Sequence, residues 1–103
     1  MSEELLPLFP LNVVLFPDVL LPLHIFEDRY KALIAECVKE KSEFCINLVH
    51  ERHVSDVGCT ARVAEVVHRY EDGRMDIIVE GRRRFRLLGY ETDPRLFAVG
   101  RVT

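Results

Sequence analysis

Prolines at positions 7, 10, 17 and 22 interrupt an almost wholly apolar run over residues 5–34. Each removes a backbone donor and holds φ near about −65°, so no single helix can cover residues 5–26. The run is long enough for a membrane span, but these prolines, with Asn12, Asp18 and His24, argue against one. The pattern predicts two extended segments, 6–13 and 19–26, bent at Phe16-Pro17-Asp18. Proline in a strand favours edge or bulged positions, so both segments are expected at an irregular seam of a sheet.

A chain of 103 residues holds one core and predicts one domain. Its 49% hydrophobic and 30% charged residues are ordinary for a globular protein. A net charge of −3 provides no overall field for nucleic acid or acidic lipid. The start, Met-Ser-Glu-Glu, is acidic where an export signal is positive. Cys37, Cys45 and Cys59 are odd in number and far apart, which speaks against a disulfide framework. Free thiols without an export signal predict a cytoplasmic location.

Glu27 and Asp28 stand where a helix N-terminus favours negative charge, and Lys39 and Lys41 where its C-terminus favours positive. Between them Tyr30, Leu33, Ile34, Cys37 and Val38 form one apolar stripe, which the stem of Lys41 can extend. A helix over 27–41 follows, its stripe facing the core. Residues 44–50 alternate as a strand, and 51–60 are expected to form a polar loop, a usual place for a ligand surface. Asp72-Gly73 predicts a two-residue type I′ hairpin. That register sets Arg69 opposite Asp76 and Glu71 opposite Arg74. It puts Tyr70, Met75, His68, Ile77, Val66 and Val79 on the core face. One step further, Glu65 would meet Glu80, so a bulge is expected there, close to Gly81. A strand follows over 82–90, with Phe85 and Leu87 on one side and Arg82, Arg84 and Arg86 on the other. Asp93-Pro94 marks a turn, and 97–102 a last strand whose outer edge is expected to be uncovered.

Little in the sequence points to catalysis. No phosphate-binding Gly-x-x-x-x-Gly-Lys-Ser/Thr loop occurs. Ser2, Ser42 and Ser55 are the serines, and the adjacency of Lys41 and Ser42 does not suggest an activated pair. His50, His53 and Cys59 have a weak metal-like spacing with no fourth ligand nearby, and read as loop histidines beside a thiol. His24 reads as a hydrogen-bonded core or boundary histidine and Cys37 as a small core hydrophobe. The sequence therefore assigns no catalytic, cofactor or metal residues. Arg82, Arg83, Arg84 and Arg86 form the one charge run, read as a solvated sheet face balanced by acids such as Asp76 and Glu80. RNA binding by that run stays open as the alternative.

The opening Leu6-Pro7-Leu8-Phe9-Pro10-Leu11, then Leu15-Phe16-Pro17, then Leu21-Pro22-Leu23-His24-Ile25-Phe26-Glu27 with Arg29-Tyr30, resembles the Lon protease N-terminal domain family. Gly58, Ala61-Arg62-Val63, Asp72-Gly73, Val79-Glu80-Gly81 and Arg84-Phe85 fit the same pattern. The resemblance covers essentially the whole chain. It implies an α+β, mainly β fold: a small, bent, PUA-like β-barrel of about six strands with one crossing helix. It also implies a non-enzymatic module that recognises unfolded or extended polypeptide segments, by apolar contact and strand addition. Bacterial family members also occur as stand-alone proteins. Members usually continue into a helical second half, so residues 1–103 are expected to be the β-rich lobe alone. The uncovered last strand then predicts a homodimer or a self-associating scaffold.

Overall fold

The computed structural model describes residues 3–92 and 98–103, and Asp93-Pro94 and Ser2 lie outside them. Six strands and one helix follow in the order β1 (Glu4–Leu11), β2 (Leu20–Ile25), α1 (Asp28–Glu40), β3 (Phe44–His50), β4 (His53–Arg69), β5 (Met75–Thr92) and β6 (Ala98–Val102). The fold is mainly β with a single helix, as expected. β5, β4, β3, β1 and β6 pair in that order, and β6 pairs again with β5, which closes a ring; β2 flanks the first half of β5. β1 runs parallel to β3, and every other pairing is antiparallel.

The closure overturns the expected open final edge. β6 is paired on both sides, through Glu4↔Val102 to Leu8↔Ala98 with β1, and through Leu87↔Val102 to Thr92↔Ala98 with β5. β1 is likewise an inner strand, whereas β2 is a flank as its proline suggested. The register explains how Pro22 is tolerated. Gly81 N–H donates to Val19 O, so in the β2–β5 ladder residues 21, 23 and 25 point their backbone groups at β5. Pro22, opposite Ile78, turns its missing donor to the free edge and costs no ladder bond.

Proline also shapes the bend before β2. Val19 N–H donates to Phe16 O, closing a turn with Pro17 second and Asp18 third at φ 68. That is type II geometry, with an aspartate where glycine is usual. Asp18 N–H then donates to Gly81 O while Gly81 N–H donates to Val19 O, a bulge that docks the turn on β5.

The two hairpin expectations exchange places. Residues 51–60 are not a loop: β4 begins at His53, opposite His50, and only Glu51 and Arg52 turn, at φ 49 and 66. This tight two-residue loop has the left-handed dihedrals of type I′ without the usual Asn-Gly. At Asp72-Gly73 only Gly73 is left-handed (φ 93), Gly73 N–H donates to Tyr70 O, and Arg69 pairs with Met75. The loop there has three residues, so the expected Arg69–Asp76 and Glu71–Arg74 pairing does not form. His68 faces Asp76, and Arg62 faces Glu80 where Glu65 was expected. His68 is exposed and Tyr70 half-buried, because an extra residue at Val67 breaks the alternation. Met75, Ile77 and Val79 are buried as read. The expected irregularity near Gly81 is present: between Cys59 and Ala61 the register slips, and the freed Arg83 N–H donates to the buried Thr60 hydroxyl at 3.2 Å.

Left-handed backbone at Glu51 and Arg52 costs roughly 1–2 kcal/mol per residue against a right-handed conformer. Replacing both, Glu51→Asn with Arg52→Gly, should therefore stabilise the domain by about 1 kcal/mol in urea unfolding. No gain, or a loss, would mean that the turn carries no such strain.

α1 matches the predicted stripe. Leu33, Ile34 and Cys37 are buried, Glu27 is the N-cap, and the left-handed Lys41 caps the other end and is exposed rather than extending the stripe. These residues pack with Phe9, Ile25, Phe44, Ile46, Met75, Ile77 and Val79 in the main core. Leu8, Cys45, Phe85 and Val102 form a smaller cluster among β1, β3, β5 and β6.

All three thiols are free and buried. Burial pushes Cys37 up to about 11, against a hydrogen bond from Ser42, and Cys45 up to about 12, against the Arg83 charge. Burial raises Cys59 as well. A thiol whose folded pKa is raised contributes stability below its unfolded value near 9 and loses it as pH rises towards 11–12. Denaturation midpoints should thus fall progressively above pH 9, and the decline should shrink in Cys45→Ala, measured against its own value at pH 7. A thiol-specific reagent should label all three only on unfolding; rapid native labelling would contradict the burial.

Candidate binding cleft between β1 and β2

The halves of the proline-rich run leave the bend as β1 and β2 without pairing to each other. A cleft of about 230 Å³ opens between the end of β1 (Phe9, Pro10, Leu11), the end of β2 (Leu23, His24, Ile25) and the start of α1 (Arg29, Tyr30). Its floor is aromatic. Phe9 stacks on Tyr30 at 4.1 Å between centroids and tilts against Phe44 at 6.2 Å. Arg29 lies over the Tyr30 ring, its guanidinium 4.8 Å from the ring centre and held by Glu27 at 3.3 Å. Burial raises the Tyr30 hydroxyl pKa, partly offset by Arg29, so the ring enters the cleft neutral.

Phe26 stands at the rim, 59% exposed, and Val14 and Phe16 in the β1–β2 connection are 59% and 54% exposed. A large apolar side chain this open at the mouth of an apolar cleft, as Phe26 is, marks a contact surface. The free edge of β2 beside it has no N–H at Pro22, which limits backbone pairing there and leaves side-chain contact as the main interaction.

His24 borders the cleft and is fixed by a polar cluster. Its Nδ1 lies 2.6 Å from Asp76 Oδ1, and the Tyr70 hydroxyl donates to Asp76 Oδ2 at 2.6 Å. These two bonds, Tyr70 first, hold the Asp76 carboxyl below the usual range, and the same bond raises Tyr70. His68 packs edge-on against Tyr70, and Arg74 stacks over it at 4.6 Å. Of the two hydrogen-bonded positions open to His24, core or boundary, it takes the boundary one, but Asp76 serves this cluster rather than the arginines.

The other sequence candidates are dispersed. His50 and His53 face each other across the tight turn and are exposed, while Cys59 is buried in the core. Among the described residues no group of three or more His, Cys, Asp or Glu side chains could hold a metal ion. The Ser42 hydroxyl is engaged with Cys37, and the Ser55 hydroxyl with the Val57 backbone. Arg82 pairs with Glu80 and Glu43, Arg83 with Glu4 and Glu43, and Arg86 with Asp56. The run is therefore a sheet face studded with exposed ion pairs. Among the described residues no helix is long and apolar enough to cross a membrane.

The cleft itself was not legible as a site, because its residues are ordinary apolar ones that only the unpaired geometry of β1 and β2 brings together. A family model described as the ATP-dependent protease La (LON) substrate-binding domain matches residues 5–103. The chain belongs to this Lon substrate-binding domain family. It is 35% identical over 111 residues to a Lon protease of Parabacteroides distasonis, covering 97% of this chain and 13% of that protein. A Lon protease of Paraburkholderia phytofirmans is 31% identical over 97 residues, covering 85% and 12%. The chain thus spans a small part of the length of these curated relatives. The crystal structure of a Lon N-terminal domain protein from Xanthomonas campestris superposes with a TM-score of 0.84 at 31% identity, over 97% of this chain and 59% of that one. The N-terminal domain of a Mycobacterium avium complex Lon protease shares the fold, with a TM-score of 0.77 at 20% identity over 97% and 54%.

Proposed function

We propose that this Lon-family domain is a non-catalytic polypeptide-recognition module that holds extended apolar segments in the cleft between β1 and β2. The observation that carries the reading is the stacked Phe9–Tyr30 floor opening onto the exposed Phe26. The family's description as a substrate-binding domain supports it. A cleft of about 230 Å³ is the size for one or two large side chains, with the flanking chain lying over Phe26. The mechanism is burial of apolar surface, with strand addition a minor part, since Pro22 blunts the adjoining edge. RNA is not proposed as the ligand, because acids already neutralise most of the arginine run.

Phe26 is 59% exposed and its ring stacks on the exposed His24, so Phe26→Ser should fold with a melting temperature close to that of wild type. Its affinity for an unfolded, carboxymethylated polypeptide should drop about tenfold, the scale of losing an aromatic anchor. Equal binding by wild type and variant would remove the cleft from the account. Tight, salt-sensitive RNA binding lost in Arg82→Glu with Arg84→Glu would replace it with the nucleic-acid reading.

A further inference from the structure

A second apolar strip lies on the other side of α1. In the β1–β6 ladder, Leu5 faces Arg101 and Pro7 faces Val99, so Leu5, Pro7 and Val99 lie on the same side of the sheet as Phe9. α1 covers Phe9 but stops short of these residues. Leu5 is 72% exposed, the most exposed large apolar side chain among the described residues. The groove between this strip and the helix measures about 480 Å³.

Its helix bank is acidic. Glu40 and, one helical turn before it, the already engaged Glu36 line the α1 bank. Beyond the strip, Glu91 is the β5 cross-strand partner of Val99 and so lies on the same side of the sheet. Glu43 closes the helix end, shared with Arg82 and Arg83, and Arg101 is paired with Glu3 at 3.0 Å. Glu40 has a further peculiarity. It stands in the last turn of α1, where the helix dipole disfavours an acid, and no cation among the described residues pairs with it. A carboxylate kept there, beside an uncovered apolar strip, suits a partner that brings the positive charge.

We infer that this groove docks a basic amphipathic segment of a partner polypeptide. Aliphatic side chains of the segment lie on Leu5, Pro7 and Val99, and its Lys or Arg side chains reach Glu40 on the helix bank and Glu91 beyond the strip. The surface is separate from the β1–β2 cleft and differs from it in chemistry: it takes cationic segments, whereas the cleft takes neutral apolar ones. Charge on both sides of the strip fixes the segment's orientation and rejects acidic competitors, the usual contribution of interfacial charge.

The test is fluorescence anisotropy with a labelled Lys/Leu amphipathic peptide and its Glu/Leu counterpart, at low and at physiological salt. Wild type should bind the Lys/Leu peptide, more weakly as salt rises, and should ignore the Glu/Leu one. Glu40→Lys with Glu91→Lys should lose at least about tenfold in affinity for the Lys/Leu peptide and gain binding of the Glu/Leu peptide. Both positions are exposed, and a lysine at 40 suits the helix end, so circular dichroism and melting should match wild type. Phe26→Ser should bind the Lys/Leu peptide normally, which separates this surface from the cleft. No binding of the Lys/Leu peptide by wild type overturns the inference, as does equal binding by the charge-reversed variant.

Discussion

Gly81→Val should lower the melting temperature of this domain by about 12–24 °C or more. A Cβ at position 81 would lie 2.1 Å from the Phe16 carbonyl oxygen, 2.9 Å from its carbon and 3.2 Å from Leu15 Cγ. The first two are backbone atoms of the type II turn, which Gly81 itself holds through two hydrogen bonds. Relief therefore requires the turn to lift off β5, losing both bonds and withdrawing the buried Leu15 from the core. The cost is on the order of 3 kcal/mol or more, from overpacking and lost hydrogen bonds together. A domain of this size has a total stability of roughly 5–15 kcal/mol, and each kcal/mol moves its melting point by about 4–8 °C. Thermal and urea melts measure this directly. A variant within about 0.5 kcal/mol of wild type would show that the turn does not dock as described.

Phe9→Ala should destabilise by about 3–5 kcal/mol, the usual range for emptying a buried phenylalanine site. Phe9 is 5% exposed and wedged between Tyr30 and Phe44, so its removal opens a cavity and frees both neighbouring rings. The same residue floors the cleft, so where the variant remains folded at low temperature its affinity for unfolded polypeptide should fall too. Phe26→Ser, by contrast, should change binding alone. The pair separates the ring that holds the fold from the ring that holds the ligand. A Phe9→Ala domain as stable as wild type would contradict the packing.

The helix was legible because it rests on a single local periodicity, the stripe of Tyr30, Leu33, Ile34, Cys37 and Val38. β3 was legible because its short run is strand-like, although Phe44, Cys45, Ile46 and Asn47 are all buried and the expected alternation is absent. The hairpins were misread because turn chemistry was overridden by distant contacts. β4 must run 17 residues to pair with both β3 and β5, so it starts directly after Glu51-Arg52 in spite of their unsuited dihedrals. At Gly73 one left-handed residue sufficed, and the three-residue loop moved every downstream pair, giving Asp76 to His24 and Tyr70. Ring closure was illegible for a similar reason. Nothing within residues 98–102 indicates that the strand pairs on both sides, since one partner lies near residue 5 and the other near residue 90. The cleft is a product of topology: the pairing that β1 and β2 do not make.

The most direct test of polypeptide recognition in that cleft is an NMR titration of the ¹⁵N-labelled domain with a neutral, apolar, extended peptide. Backbone amide shifts should move most at Leu11, His24, Phe26, Glu27 and Tyr30, saturate with peptide concentration, and need about tenfold more peptide to do so in Phe26→Ser. Shifts centred on Arg82–Arg86, or none at millimolar peptide, would contradict the account.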